Sequence, residues 1–179
     1  MRFSELSIKG VWLVSPVKLE DERGFFARTF CEQEFVEQGL EARFLQHSVS
    51  HSTCKYTLRG MHFQKYPFAE IKLVSCIKGV VYDVVADLRP GSATFRHWLA
   101  VELSPENGHR IYIPEGCAHG FQTLTQDAIV NYLINRFHIP GEARGVRYDD
   151  PNLAIEWPAH PSVISPKDLE WPLFEGAPA

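Results

Sequence analysis

The chain has 179 residues, which is enough for one globular domain of ordinary size and too few for two. We therefore expect a single domain over residues 1–179, with 45% hydrophobic and 22% charged residues supplying core and surface. Its net charge of −4 argues against binding nucleic acid through bulk electrostatics, and no apolar run approaches the ~20 residues of a membrane helix.

The N-terminus and the cysteines predict a cytoplasmic protein. Residues 1–5 contain no apolar stretch of the kind found in secretory signals, so we expect none. The cysteines are widely spaced and form no Cys-x-x-Cys pair, which is typical of reduced thiols rather than of disulfides or a zinc site. They are Cys31, Cys54, Cys76 and Cys117.

Apolar residues recur at every second position along most of the chain, and this period is typical of half-buried strands. It is clearest over residues 79–88, where Val80, Tyr82 and Val84 share one face while Asp83 and Asp87 lie on the other. In chain order, the predicted strands cover residues 25–30, 44–50, 56–64, 71–77, 79–88, 94–103, 109–113 and 128–136, with turn-forming Pro and Gly residues between several of them.

Only two segments predict helices, residues 31–40 and residues 165–173. The second begins with Ser165-Pro166, a residue pair that favours a helix N-terminus. Many short strands with few helices predict an all-β sandwich or barrel and disfavour parallel α/β folds.

Two motifs in the predicted strands carry candidate chemistry. Residues 59–64 read Arg-Gly-Met-His-Phe-Gln, and residues 114–119 contain Pro-x-Gly-x-x-His. The latter is the second motif of cupin jelly rolls, where the histidine commonly binds a metal. Here the first motif offers Gln64 in place of a second histidine, and Lys72 stands where an anionic ligand belongs. We therefore expect no metal site.

Seven segments carry a further signal through their order along the chain, and they are residues 58–64, 71–74, 84–89, 113–121, 149–151, 155–158 and 164–168. Together they resemble the dTDP-4-dehydrorhamnose 3,5-epimerase family. The resemblance runs from residues 21–24 to Asp168 and implies a cupin-type jelly roll, a homodimer and a nucleotide-linked 4-keto-6-deoxyhexose substrate.

The resemblance also implies a set of catalytic residues. A ketone at C4 acidifies the protons on C3 and C5, so epimerisation needs a base, a proton donor and a charge at the enolate oxygen. His62 would be the base, oriented by Asp168, while Lys72 would hold the enolate oxygen and Tyr132 would donate the proton. The alternation of apolar residues alone would predict that Tyr132 belongs to the core. No glycine-rich nucleotide motif is present, and we expect no cofactor.

Further positions match the family's substrate contacts, and several of them depart from its usual residues. Arg23, Arg59, His119 and Lys167 match basic contacts to sugar and diphosphate, and Gln46 is retained. The family usually has Glu at the position of Arg28, Asn at that of Ser48 and Tyr at that of His138. It also usually has Glu at the position of Ala143 and Gln at that of Glu70. Either the nucleotide or sugar preference has changed, or these differences are neutral drift.

Other functional classes stay open from the sequence. One is an epimerase that inverts C3 or C5 alone or acts on another nucleotide sugar, because the same His and Tyr would serve both carbons. A second is a non-catalytic sugar-nucleotide-binding cupin, which the presence of His62, Tyr132 and Asp168 disfavours. A third is a metal-dependent cupin.

Overall fold

A computed structural model describes residues 1–174, and the last five residues of the predicted domain lie outside the described part. Helix α1 spans Glu32–Glu37 and helix α2 spans Pro166–Leu169. The strands are β1 (Arg2–Glu5), β2 (Trp12–Ser15), β3 (Lys18–Asp21), β4 (Gly24–Ala27), β5 (Gln46–Ser52), β6 (Thr57–Gln64), β7 (Lys72–Lys78), β8 (Val81–Asp87), β9 (Trp98–Leu103), β10 (Arg110–Ile113), β11 (Cys117–Thr123), β12 (Ala128–Ile134), β13 (Ala143–Gly145) and β14 (Val163–Ile164).

The strands form two large sheets and one hairpin. The first sheet has the order β1-β2-β10-β7-β12-β5, and the second has the order β13-β6-β11-β8-β9 with β14 paired in parallel to β6. All other pairings are antiparallel, and β3 and β4 form a separate hairpin. The predicted all-β architecture with a few short helices is confirmed.

The main core combines residues from both sheets. Val74 and Val130 of the first sheet and Val85 and Phe121 of the second are at most 1% exposed and belong to one apolar cluster. A second cluster, which includes Met61, packs against the second sheet. Strand β8 contributes to both clusters, so it is buried on both faces and its two aspartates need partners inside the protein.

Asp87 explains why the predicted strand over residues 94–103 begins only at Trp98. Its buried carboxylate accepts hydrogen bonds from Arg89, Ser92 and Thr94, which together hold a turn where the sequence pattern predicts extended chain. The multiple donors outweigh the effect of burial and lower the pKa of Asp87 below its usual range.

Both predicted helices are shorter in the structure. The segment 31–40 is helical only in α1, and Gly39 in the left-handed region (φ 72°) follows it. The segment 165–173 is helical only in α2, because Pro172 disfavours helical backbone at the preceding residue. Five short strands, β1, β2, β3, β13 and β14, have no counterpart in the sequence prediction, which identifies β11 only as a motif.

The two sequence motifs that carry His62 and His119 lie side by side, because β6 and β11 approach each other closely at two glycines. A Cβ atom at Gly60 would lie 2.6 Å from the Cα atom of Gly120, so only glycine lets β6 and β11 pack at this distance. The register then places His62 directly opposite His119. Within residues 1–174, neither helix is long and apolar enough to cross a membrane.

Candidate active site

A cavity of about 710 Å³ lies between the two sheets, a size suited to a small organic ligand. Strands β5, β7 and β12 of the first sheet and β6 and β11 of the second contribute to its walls, together with the segment that contains α2. Every predicted catalytic or substrate-binding residue except Arg23 and Arg28 lines it: His62, Asp168, Lys72, Tyr132, Gln46, Ser48, Arg59, His119, His138 and Lys167.

His62 and Asp168 form a hydrogen-bonded pair although 106 residues separate them in sequence. His62 Nε2 lies 2.6 Å from Asp168 Oδ1, and His62 is half-buried at the cavity wall. The Ser165 hydroxyl accepts a hydrogen bond from the Asp168 amide at 3.1 Å, so the N-cap of α2 fixes the position of the carboxylate.

The Asp168 carboxylate is buried but well supplied with donors. Besides His62, it accepts hydrogen bonds from the Gly60 amide at 3.3 Å and from the Trp171 indole at 3.2 Å. Burial acts to raise the pKa of Asp168, but the charge and hydrogen bonds of these donors outweigh it and lower the pKa. Asp168 is therefore a stable anion that orients the imidazole.

Tyr132 lies on β12, in the sheet opposite His62. Its hydroxyl is 3.1 Å from the Ser50 hydroxyl, and its ring meets the His119 ring edge-on at 6.1 Å. Burial raises the pKa of Tyr132 above its usual value, with the nearby Asp83 acting in the same direction. The phenol is consequently neutral at physiological pH and can donate a proton.

Lys72 is the first residue of β7 and has an acidic partner. Its ammonium nitrogen lies 3.0 Å from Glu70 Oε1, and both side chains are largely buried. Gln64 donates a hydrogen bond to the other oxygen of Glu70, while Gln64 Oε1 has no partner among the described residues. Lys72, Glu70 and Gln64 thus form a polar chain along the cavity wall.

His119 and Arg59 also lie on the cavity wall, with His119 opposite His62 and edge-on to Tyr132. His119 Nε2 is 2.9 Å from an oxygen of Asp83, and both side chains are buried. Burial raises the pKa of Asp83, and His119 offsets part of that shift. Arg59 donates to the Ser52 hydroxyl and to the His51 carbonyl, so its guanidinium is held in place at the cavity.

The residues predicted to contact the nucleotide are divided between two places. His138 donates its backbone N–H to Gln46 Oε1, and Ala143 lies at the same cavity. Arg23 lies in the turn of the β3–β4 hairpin and pairs with Asp21, outside the cavity of its own chain. Arg28 pairs with Glu34 beside a separate small hollow.

Sequence reasoning missed Asp83 and Ser50, which hold His119 and Tyr132. Ser50 follows Ser48 on the same face of β5, so strand periodicity could have found it. Asp83 was noted only as part of a polar face, because nothing local links it to a histidine 36 residues away.

The arrangement can take a proton from carbon beside a carbonyl and return one. An imidazole backed by a carboxylate lies on one side of the cavity, a neutral phenol comes from the opposite sheet, and an ammonium group accompanies them. Among residues 1–174, no three His, Cys, Asp or Glu side chains are grouped to hold a metal ion.

Comparisons with known proteins agree on one family. Residues 5–176 match the sequence profile of the family described as dTDP-4-dehydrorhamnose 3,5-epimerase. The chain is 43% identical over 178 residues to the dTDP-4-dehydrorhamnose 3,5-epimerase of Methanothermobacter thermautotrophicus, covering 97% of this chain and 95% of that protein.

Solved structures give the same result. The dTDP-4-dehydrorhamnose 3,5-epimerase of Elizabethkingia anophelis has a TM-score of 0.93 at 36% identity, with 99% of each chain covered. The dTDP-6-deoxy-D-glucose-3,5-epimerase of Legionella pneumophila, in complex with dTDP-4-keto-L-rhamnose, has a TM-score of 0.90 at 38% identity, covering 96% of this chain and 92% of that one.

Proposed function

This chain belongs to the dTDP-4-dehydrorhamnose 3,5-epimerase family, and on that premise we propose that it converts dTDP-4-dehydro-6-deoxyglucose to dTDP-4-dehydrorhamnose. The reaction inverts C3 and C5 through an enolate and uses no cofactor. The observation that carries the proposal is the placement of His62, Asp168 and Tyr132 on opposite walls of one cavity with Lys72 beside them.

His62 removes the proton from C3 or C5. Because its Nε2 faces Asp168, the Nε2–H donates to the carboxylate, and Nδ1 carries the lone pair that accepts the substrate proton. The imidazolium that forms is stabilised by the Asp168 anion. The electron pair of the broken C–H bond moves into the enolate, whose oxygen becomes negatively charged.

Lys72 stabilises that enolate oxygen. A largely buried ammonium interacts more strongly with a developing charge than one in water, because water screens it less. Glu70 keeps the Lys72 side chain in a fixed position before substrate arrives, so little reorganisation is needed at the moment of reaction. Arg59 and Lys167 supply positive charge toward the diphosphate.

Tyr132 returns a proton to the other face of the enolate, which inverts the carbon. Protonation from the side opposite to His62 is what separates epimerisation from simple exchange. The neutral phenol that burial maintains is the required donor, and the Ser50 hydroxyl orients it. Exchange of protons with solvent then returns His62 to the neutral imidazole and Tyr132 to the phenol, and after the sugar reorients the same pair of residues serves the second carbon.

A homodimer in the cytoplasm is the form in which we propose that the enzyme acts. The β3–β4 hairpin exposes Leu19 (64%) and Phe26 (72%), which is typical of a surface that another subunit covers. Arg23 lies in the turn of this hairpin, so a substrate contact by Arg23 would reach the cavity of a second copy. All four cysteines are free thiols, which suits a reducing compartment.

Sedimentation of the wild-type protein and of a Leu19→Glu/Phe26→Glu double variant tests this assembly. We expect a dimer for the wild type and a folded monomer for the variant. A monomeric wild type would contradict the proposal.

Proton NMR in heavy water tests the function itself. With dTDP-4-dehydro-6-deoxyglucose we expect deuterium at both C3 and C5, and the GDP- and CDP-linked sugars are compared under the same conditions. Deuterium at one carbon alone would identify a mono-epimerase. Exchange with none of the three substrates would overturn the proposed function.

A further inference from the structure

Trp171 lies directly behind the His62–Asp168 pair, and we propose that it is a positioning residue for the catalytic base. Its indole N–H donates to Asp168 Oδ1 at 3.2 Å, the same oxygen to which His62 donates at 2.6 Å. Its ring meets the His62 ring edge-on, with 6.2 Å between centroids. The inference rests on the proposed function, in which His62 is the base.

The indole is held in place from several sides. Gly145 is paired with His62 across β13 and β6, and a Cβ atom there would lie 2.5 Å from the Trp171 ring. The ammonium nitrogen of Lys167 lies 5.3 Å from the ring centroid. The carbonyl of the next residue, Pro172, accepts a hydrogen bond from the backbone of Arg147. The ring therefore has one well-defined position.

This position lets Trp171 act on the base without touching substrate. An indole N–H can only donate, so it fixes the carboxylate oxygen in one orientation without competing for the imidazole proton. Its ring also packs edge-on against the His62 ring and so limits the tilt of the imidazole. Trp171 is not among the residues that line the cavity, so its influence on catalysis passes through Asp168 and His62.

Trp171→Phe is the informative variant because it keeps an aromatic ring against Gly145 and His62 while removing the N–H donor. Trp157→Phe is the matched control, since Trp157 also loses an indole hydrogen bond, to the Tyr148 carbonyl at 2.9 Å. We expect kcat for deuterium exchange to fall about tenfold in Trp171→Phe, with KM and the dTDP dissociation constant within about twofold of wild type. Trp157→Phe should keep the wild-type kcat.

Two kinetic outcomes would overturn the inference. One is a wild-type kcat in Trp171→Phe. The other is an equal loss in Trp171→Phe and Trp157→Phe, which would show that only general packing had been disturbed.

A second measurement needs no enzymatic activity. In a ¹H–¹⁵N spectrum, the indole N–H resonance that disappears in Trp171→Phe identifies Trp171. We expect Asp168→Asn to shift that resonance while the resonance of Trp157 stays in place, which also shows that the fold is intact. An unmoved Trp171 resonance would overturn the inference. Because the spectrum is recorded without substrate, failure of the proposed function and failure of this inference give different results.

Discussion

Two histidines of the second sheet each pair with a carboxylate, and the two histidines differ sharply in exposure. The His62 side chain is 39% exposed beside Asp168, whereas the His119 side chain is 5% exposed beside Asp83. The two histidines lie opposite one another on β6 and β11, so paired positions in one sheet differ widely in solvent exposure. An imidazole that exchanges protons with substrate and solvent must be reached by both, and His62 is the more accessible of the two.

Burial alone would raise the pKa of both carboxylates, but only the pKa of Asp83 is raised. Asp168 is nearly buried, yet donors from His62, Gly60 and Trp171 lower its pKa. Asp83 is fully buried with His119 as its hydrogen-bond partner, and its pKa is raised. The donors around Asp168 therefore outweigh the effect of burial on its pKa, whereas the partner of Asp83 offsets only part of it.

Replacing the two histidines should have the largest effects on deuterium exchange, and the effects of the two replacements should differ most. We expect His62→Ala to lower exchange at both C3 and C5 by about 10³-fold, because one base serves both carbons. His119→Asn should instead raise KM, with exchange at saturating substrate within about tenfold of wild type, because the role predicted for His119 is to bind the ligand and not to move its protons. NMR in heavy water measures both effects. Intact exchange in His62→Ala would refute His62 as the base.

Replacing the two carboxylates should also lower kcat unequally, but by smaller factors. We expect Asp168→Asn to lose roughly 10²-fold in kcat while retaining some activity, because an amide neither fixes the imidazole nor stabilises its cation. Asp83→Asn should lose less than about tenfold, since it supports only His119. Steady-state rates of the two variants give the comparison, and equal losses would contradict a special role for Asp168.

The nucleotide end of the cavity should respond through affinity. We expect His138→Tyr to tighten dTDP binding about tenfold, because a larger aromatic ring stacks better on a base. His47→Tyr is the matched control, since His47 is exposed on β5 and does not line the cavity. Calorimetry measures both dissociation constants. Unchanged affinity in His138→Tyr would favour drift over a changed nucleotide preference.

The pH dependence of stability should distinguish the carboxylates with opposite signs. The lowered pKa of Asp168 means that its contribution is present above pH 3.8 and is lost as pH falls toward the folded pKa. The raised pKa of Asp83 means that its ionisation lowers stability as pH rises from 3.8 through the folded pKa.

Urea unfolding of wild type, Asp168→Asn and Asp83→Asn across acidic pH measures this difference. We expect the wild-type advantage over Asp168→Asn to grow with rising pH and the advantage over Asp83→Asn to shrink. If both differences in unfolding free energy changed in the same direction with pH, the opposite pKa shifts of Asp168 and Asp83 would be contradicted.

Much of the fold could be predicted because its strands alternate in the sequence. The segments 56–64 and 128–136 correspond closely to β6 and β12, which carry His62 and Tyr132. The strand predicted over residues 94–103 was too long, because Asp87 holds a turn through side chains that periodicity does not register. Periodicity predicts where the backbone can be extended, and side-chain hydrogen bonds such as those of Asp87 decide where it turns instead.

The sequence predicted most of the polar residues that line the cavity but few of their pairings. The family resemblance, rather than a local motif, supplied His62, Asp168 and their pairing. The pairing of Asp83 with His119 and the contact of Trp171 with Asp168 depend on how strands and the C-terminal segment meet. No sequence pattern identifies Trp171, because an indole that donates a hydrogen bond to a carboxylate has no characteristic spacing from it along the chain.

The separation of exchange from inversion in Tyr132→Phe tests most directly whether His62 and Tyr132 act from opposite sides. The variant keeps the His62–Asp168 pair and the aromatic ring but removes the phenolic donor. Proton NMR in heavy water follows deuterium uptake and configuration in the same sample. We predict continued uptake of deuterium with retained configuration and a sharp loss of inverted product. Inverted product at the wild-type rate would contradict Tyr132 as the donor and with it the two-sided mechanism.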